Sequence, residues 1–455
     1  MKNIYVNYFP FYTLKYIKPV WYYNLYSKKS DNIFLNYKKA HSDKKLVIKY
    51  DYSYISEDMQ LWDAAFQAFS KGIIADKNEK LEFNETEISI HPPDLYRFIR
   101  KYYKNIWAYY ICFFRIITLH NPIKELLSIY LTRKVERVNI FEKFYAYPDY
   151  LNFKSNIILD NKQVSIIIPT LNRYSILFDL LNDLEGQSYK NFEVIIIDQS
   201  DEFQPVFYQQ FNIDINLIFQ SEKMLWKARN RGIDEAKADL LLFLDDDSRI
   251  EKNWIYEHIN CLDYFKADIS AGVSVSESGA KVPLNYSFFH ISNQLDTGNA
   301  LIKKDVFRGC GLFDRQFEKQ RMGDGEFGVR AYLNGFTSIA NPNAKRIHSK
   351  YSSGGLREMG SWDAMRPNSF FKIRPIPSVL YFWRNYWGRT LTIINLCQTV
   401  PFSLCLYRLK GSTLGNVISI FIFILFFPII CFQVLLSWRK STAMITKGPL
   451  IEKIK

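Results

Sequence analysis

A chain of 455 residues with 48% hydrophobic side chains carries enough apolar mass for a real core and exceeds the usual single-domain size, which points to two units plus appendages. Its net charge of +13 would suit nucleic acid, an anionic membrane surface or phosphorylated substrates. The lysines are dispersed, however, and no helix-turn-helix, zinc-finger or RNA-recognition signature accompanies them, so nucleic acid is excluded as a partner.

Residues 1–160 read as a largely helical extension of unknown role. Met1–Tyr26 lacks the basic end and continuous apolar stretch of a secretory signal. Within Leu95–Arg137, Trp107, Tyr110, Phe114, Ile117 and Leu119 interleave with Arg100, Lys104 and Arg115. A helix of that pattern lies on a membrane or packs against the next domain; its apolar run is too short to span, and packing is the preferred reading.

From Val164 the pattern turns regular. Val164–Ile168 is a predicted strand closed by Pro169, and the next helix carries Leu177, Leu180, Leu181 and Leu184 at i, i+3, i+4 and i+7. Strands follow at Phe192–Ile197, ending in Asp198, and at Ile215–Phe219. A helix over Trp226–Ala238 feeds a strand at Leu240, and a helix over Trp254–Phe265 leads to a strand at Ile269–Val275. Alternation of this kind predicts an α/β domain over residues 161–355 with a mostly parallel sheet, whose ligands sit at the carboxyl ends of the strands.

Leu240–Leu244 is a fully apolar run that ends in Asp245-Asp246-Asp247. Neighbouring carboxylates repel by about 1 kcal/mol at ~4 Å in water and by more in drier surroundings. The cluster therefore needs a divalent cation, or it is a strand-to-helix turn in which an aspartate caps the next helix. Asp198, at the end of another strand, favours a site for a metal and a nucleotide.

Residues 356–410 are basic and aromatic. Val417–Leu436, twenty residues without a charge, is long enough at 1.5 Å per residue to cross a ~30 Å hydrocarbon layer. It reads as a membrane segment within residues 411–455, either a span or, because of Pro428, a bent re-entrant hairpin. Basic residues flank it on both sides and leave its orientation open. Thr390–Tyr407 reads as interfacial. The six cysteines form no Cys-x-x-Cys pair or zinc-ligand spacing, which suits buried free thiols in a reducing cytosol.

Four segments come in a telling order: Val164-Ser-Ile-Ile-Ile-Pro-Thr-Leu-Asn-Arg173, Val194-Ile-Ile-Ile-Asp-Gln-Ser200, Ala228-Arg-Asn-Arg-Gly232 and Phe243-Leu-Asp-Asp-Asp247. Thr297-Gly-Asn299, Gly311-Leu-Phe-Asp314 and Asp324-Gly-Glu-Phe-Gly-Val-Arg330 follow. Over Val164–Ser353 the chain resembles glycosyltransferase family 2, with its GT-A nucleotide-sugar-binding fold. The resemblance implies an inverting, metal-dependent transfer from a nucleotide sugar to a lipid-linked saccharide or polysaccharide acceptor, with Mg2+ or Mn2+ as cofactor.

By the same match Pro169, Thr170, Asn172, Arg173, Asp198, Arg229, Asp245 and Asp246 would face the donor, with Asp198 on the base. Asp247 and His348 would bind the metal. Asp324 would be the catalytic base, in a Gly-Asp pair where many family members read Glu-Asp. Glu326, Trp362 and Asn299 are expected near the acceptor, with Glu326 second in line as base; Trp226 is a further candidate to stack on a sugar, and Ser352-Ser-Gly-Gly355 a candidate lid. No Gln-x-x-Arg-Trp pattern is present, which favours addition of one or a few sugars. The expected setting is a membrane, with the catalytic domain on its cytoplasmic side. A metal-dependent nucleotidyltransferase is the rival enzyme, without a Gly-rich phosphate loop to support it, and a non-catalytic scaffold of the same fold is the rival from another class.

Overall fold

The computed structural model describes residues 4–6, 14–27, 29, 33–81, 90–277, 282–292, 295–349, 365, 369–405, 409 and 412–455. Trp362 and the Ser352–Gly355 segment lie outside them. The chain divides into two units, Met1–Pro148 with Phe288–Ile291, and Asp149–Ser287 with Ser292–Lys455. The boundary falls at Pro148, twelve residues before the change of sequence pattern at Asp160.

The first unit is mainly helical, with helices at Glu57–Ser70, Pro92–Tyr102, Ile106–Ile117 and Pro122–Leu131. Its core joins Met59, Trp62, Phe66 and Phe98 around a buried polar node. The Asp63 carboxylate there accepts hydrogen bonds from the Tyr54 and Tyr102 hydroxyls at 2.8 and 2.7 Å and from Gln67 at 2.9 Å. Lys101 bridges Asp63 to Asp51, and Arg97 adds a second cation on Asp51. Burial acts to raise the Asp51 carboxyl, and those two cations overcome it, holding the group at about 2.

The second unit is built on a mixed sheet. Its strands in chain order are β1 (Val164–Thr170), β2 (Phe192–Asp198), β3 (Ile215–Phe219), β4 (Leu240–Leu244), β5 (Ser248–Ile250), β6 (Ile269–Ser276), β7 (Asn299–Lys303) and β8 (Ser338–His348). They lie in the order β3-β2-β1-β4-β7-β6-β8-β5. β1 to β4 are mutually parallel, and the apolar runs of β1, β2 and β4 are buried, as expected of strands covered on both faces, whereas the edge strand β3 is half-buried and ends in the exposed Phe219. The helices expected between them occur: α1 (Tyr174–Glu185), α2 (Leu225–Glu235) and α3 (Trp254–Tyr264). Helix α2 stops three residues earlier than its periodicity suggests, because Ala236 is already extended.

The sheet departs from a purely parallel plan at β7, which enters antiparallel between β4 and β6. That insertion sets the site, because it starts β7 beside the end of β4, with Asn299 opposite Leu244. At the far side β8 pairs antiparallel with the short β5, placing His348 opposite Ser248.

Helices α4 (Lys304–Cys310) and α5 (Gly323–Leu333) lie between β7 and β8, and α6 (Pro377–Tyr386), α7 (Gly388–Thr399), α8 (Thr413–Leu425) and α9 (Phe427–Lys447) follow the sheet. The apolar stretch 417–436 is not one straight helix. It is divided between α8 and α9, which meet at 86°, and among the described residues no single helix is long and apolar enough to cross a membrane. Pro428 in the first turn of α9 lacks the N–H that a continuous helix would need there.

Gly232 shows how closely α2 rests on the sheet. A Cβ there would lie 2.5 Å from Ile167 Cγ2 and 3.0 Å from Ile197 Cδ1. The Ile167 branch is stiff on its strand, so Gly232→Ala should lower unfolding stability by about 1–3 kcal/mol, read as a reduced midpoint in chemical denaturation.

Candidate functional site

The site grows from the carboxyl end of β4, where the chain leaves a buried strand with three aspartates in succession. Arginines from three other elements meet them. Arg229, projecting from α2, donates to Asp245 at 2.7 Å and lies 3.8 Å from Asp324. Arg346, on β8 and 1% exposed, donates to Asp245 at 3.1 Å and to Asp296 at 2.9 Å, and is held by the Ser274 and Ser248 hydroxyls. Arg173, just before α1, donates to Asp246 at 2.8 Å and to Asp247 at 3.1 Å. Thr170 completes the cradle by donating its hydroxyl to Asp246 at 2.9 Å.

His348 meets this group because of the β8–β5 pairing, its Nε2 lying 3.2 Å from the Asp247 carboxylate. Burial acts to raise the Asp247 carboxyl, and the hydrogen bond to His348 together with the charges of His348 and Arg173 overcomes it, so the group ends below the usual carboxylate range. The neighbouring Asp246 goes the other way. Burial pushes it up to about 6 against the opposing pull of Arg173. Burial acts to lower both Arg346 and Arg173, but their carboxylate partners prevail and raise them, so both stay charged.

Asp324 sits in the first turn of α5 with 31% of its side chain exposed, more open than Asp245 or Asp247. It accepts from the Thr297 hydroxyl, on the loop that precedes β7. Gly298 beside it permits this approach, because a Cβ there would fall 2.2 Å from Asp245 Oδ2. Gly323 has an equally local cause. A Cβ at that position would lie 2.3 Å from the Trp226 ring, so the Gly-Asp pair is what this ring allows. Trp226 itself is 3% exposed, with its indole N–H donated to the Phe317 carbonyl at 3.1 Å. It supports the Asp324 turn from below and is not placed to stack on a sugar. Glu318 accepts from the first amides of α2, at Trp226 and Lys227, and so fixes the helix that carries Arg229.

Some expected site residues are placed elsewhere. Asn299 is fully buried; its oxygen accepts from Trp254 at 2.9 Å and His258 at 3.0 Å, and its amide donates to the Val273 and Ala344 carbonyls. It ties the sheet together and reaches no acceptor. Glu326 is 4% exposed, ion-paired with Arg330 at 2.9 Å and bonded by the Tyr386 hydroxyl at 2.6 Å, so it is a structural carboxylate and not a second base. Asp198 is fully buried, accepting from Tyr174 at 2.7 Å, Tyr208 at 2.8 Å and the Ser200 amide at 2.9 Å. Three of its roughly four acceptor directions are therefore taken by the protein itself. Pro169 lies within the fully buried β1, and Asn172, in the left-handed region at φ 54°, braces the loop at Asp201. Asp296 and Arg346 belong to the site without having been singled out in the sequence, and Thr297 was singled out only as part of the Thr297-Gly-Asn299 motif. An acid directly before Thr-Gly-Asn and an arginine two residues before His348 were the available signals.

Five carboxylates (Asp245, Asp246, Asp247, Asp296, Asp324) face three guanidinium groups (Arg173, Arg229, Arg346), leaving two negative charges over when all are ionised and His348 is neutral. A divalent cation fits that imbalance. Among the described residues no three His, Cys, Asp or Glu side chains form a ready metal cluster. Asp247 and His348 offer two ligands, a number suited to an ion that completes its shell with water and substrate phosphates.

Residues 165–318 match the family model described as Glycosyl transferase family 2. The amylovoran biosynthesis glycosyltransferase AmsB of Erwinia amylovora is 33% identical over 237 residues, spanning 45% of this chain and 78% of that protein. The chain belongs to glycosyltransferase family 2. The GalNAc(5)-diNAcBac-PP-undecaprenol beta-1,3-glucosyltransferase of Campylobacter jejuni is 24% identical over 39% of this chain and 59% of its own length. Two further bacterial glycosyltransferases are spanned for only 23% and 29% of theirs. Among solved structures, Staphylococcus aureus TarS 1-349 in complex with UDP-GlcNAc is similar at 18% identity and TM-score 0.43, over 61% of this chain and 81% of that one.

His258, beneath the site, gives a pH signature. Burial lowers its imidazole to about 4. The folded state thus binds fewer protons than the unfolded state between about pH 6.5 and 4, and the stability present above pH 6.5 is lost as pH falls through that window. The loss should amount to at most about 3 kcal/mol, and His258→Gln should flatten the slope in denaturation curves taken across that range.

Proposed function

We propose that the chain transfers a sugar, with inversion, from a nucleotide-sugar donor to a lipid-linked or surface-polysaccharide acceptor at a membrane, through a GT-A domain facing the cytoplasm. The observation that carries this reading is the half-open Asp324 carboxylate standing at the edge of a buried, net-negative aspartate cluster. The roles that AmsB and the Campylobacter relative are named for, amylovoran biosynthesis and glucosyl transfer to a PP-undecaprenol-linked saccharide, support the acceptor class.

Mg2+ or Mn2+ held by Asp247 and His348 would stabilise the charge that grows on the departing phosphate. Arg229 and Arg346 hold Asp245 at the rim in a fixed position, and Arg173 and Thr170 do the same for Asp246. Asp324, half-open and 3.8 Å from Arg229, accepts the proton of the attacking acceptor hydroxyl. Thr297 holds its carboxylate in place for that transfer. The bent α8–α9 pair, with Phe421, Ile424, Phe432 and Leu435 each more than 60% exposed, supports a re-entrant seat in the membrane beside the acceptor.

Two measurements test the reading. A thermal-shift screen of UDP-, GDP- and dTDP-sugars with Mg2+ or Mn2+ should raise the melting temperature for at least one donor, and Asp247→Ala should abolish the metal-dependent part of that rise. Asp324→Asn should keep the shift and lose turnover by about 10²–10⁴-fold. Full turnover in Asp324→Asn would remove it as base, and no donor shift under any metal would favour a scaffold over an enzyme.

A further inference from the structure

Helices Ile106–Ile117 and Pro122–Leu131 of the first unit form a hairpin whose polarity is reversed. In Pro122–Leu131 the buried side chains are Glu125 and Ser128, while Ile123, Leu126, Leu127 and Tyr130 are all more than 50% exposed. A helix on the surface of a water-soluble domain does the opposite, turning its apolar stripe to the core. The partner helix exposes Ile106, Tyr109, Phe113 and Ile117, a single stripe at i, i+3, i+7 and i+11.

The reversal is locked from inside. Glu125 pairs with Arg115 at 2.8 Å, accepts from the Tyr96 hydroxyl at 2.5 Å, and all three side chains are nearly fully buried. Breaking such a pair would strand a buried charge, so neither helix can rotate to hide its apolar stripe. The exposed stripes are thus a fixed feature of the unit.

Charge and length identify what covers them. Between residues 104 and 137 the exposed ionised side chains are Lys104, Lys124, Arg133, Lys134 and Arg137 against Glu136 alone. A protein partner is a poor match for an apolar face with a predominantly cationic border, whereas an anionic bilayer surface offers hydrocarbon beneath phosphate. The helices hold 12 and 10 residues, about 18 and 15 Å at 1.5 Å per residue. They are too short to cross ~30 Å of hydrocarbon and long enough to lie in its interface.

We propose that the hairpin Ile106–Leu131 docks the first unit on an anionic bilayer surface, as a membrane contact separate from the α8–α9 pair. The contact requires no donor or turnover, so it stands apart from the proposed reaction.

The test is flotation of the full-length chain with phosphatidylcholine vesicles, with and without phosphatidylglycerol as a third of the lipid. The doubly substituted Phe113→Asp, Leu127→Asp chain changes only exposed positions, and circular dichroism and an unchanged melting temperature confirm that it folds. It should lose about tenfold or more in partition to the anionic vesicles. A parallel Phe421→Asp, Ile424→Asp chain should lose partition independently, and combining the two pairs should lose more than either. Unchanged partition of the hairpin variant, or equal partition of the parent chain to both vesicle types, would overturn the proposal. So would a parent chain that is dimeric in solution and becomes monomeric in the hairpin variant while vesicle binding persists, because a second copy would then cover the face.

Discussion

The contact on which the catalytic unit depends is the clamp of buried arginines on the aspartates that leave β4. Three successive carboxylates at a dry strand end would repel one another and unravel the turn, and three guanidinium groups prevent it. Each arginine comes from a different part of the chain: the loop before α1, the body of α2 and the last strand. The clamp therefore closes only when the sheet has its full order, which couples formation of the site to completion of the fold. Removing Arg173 would leave Asp246 buried without its cation, a loss of about 3–5 kcal/mol and a large share of a typical domain's stability.

The same clamp separates two kinds of aspartate. Asp245 and Asp246 are engaged by arginines, with Thr170 also on Asp246, and their geometry is fixed by the protein. Asp247 shares Arg173 but also meets His348, and Asp324 is the most open of the group. Asp324 is thus the carboxylate of the group least consumed by the protein's own electrostatics.

Much of this was legible in the sequence because apolar runs and strand-end acids leave local marks. The parallel half of the sheet, its helices and the Asp245–Asp247 exit all follow from periodicity. What stayed hidden depends on register between distant segments. Strand β7 is short, its direction cannot be read from five residues, and its antiparallel entry is what brings Asp296 and Thr297 to the site. Arg346 reads as one cation among many in a basic chain until β8 is placed. Asn299 was misjudged because a small polar residue in a motif looks like a ligand contact, whereas its four hydrogen bonds all serve the sheet. The bend at Phe426 was foreshadowed by Pro428, although the twenty-residue apolar run pointed equally to one straight span.

The helices after the sheet join the catalytic turn to the C-terminal apolar pair through polar contacts that each require a particular partner. Tyr386 of α6 bonds Glu326, two residues beyond Asp324 on α5, and Tyr381 bonds Asp314. Asp314 also accepts the Leu450 amide, and Arg384 of α6 reaches Trp438, Ser441 and Thr442 on α9. The carboxylate nearest the base is thereby spent on bracing, which is why Glu326 is unsuited to proton transfer despite its position. A tilt of α9 would be felt at α5 through α6, because buried hydroxyl–carboxylate bonds are costly to leave unmade. An acceptor presented from a membrane that holds α8 and α9 would then meet Asp324 at a height set by the fold, without a flexible linker to average it.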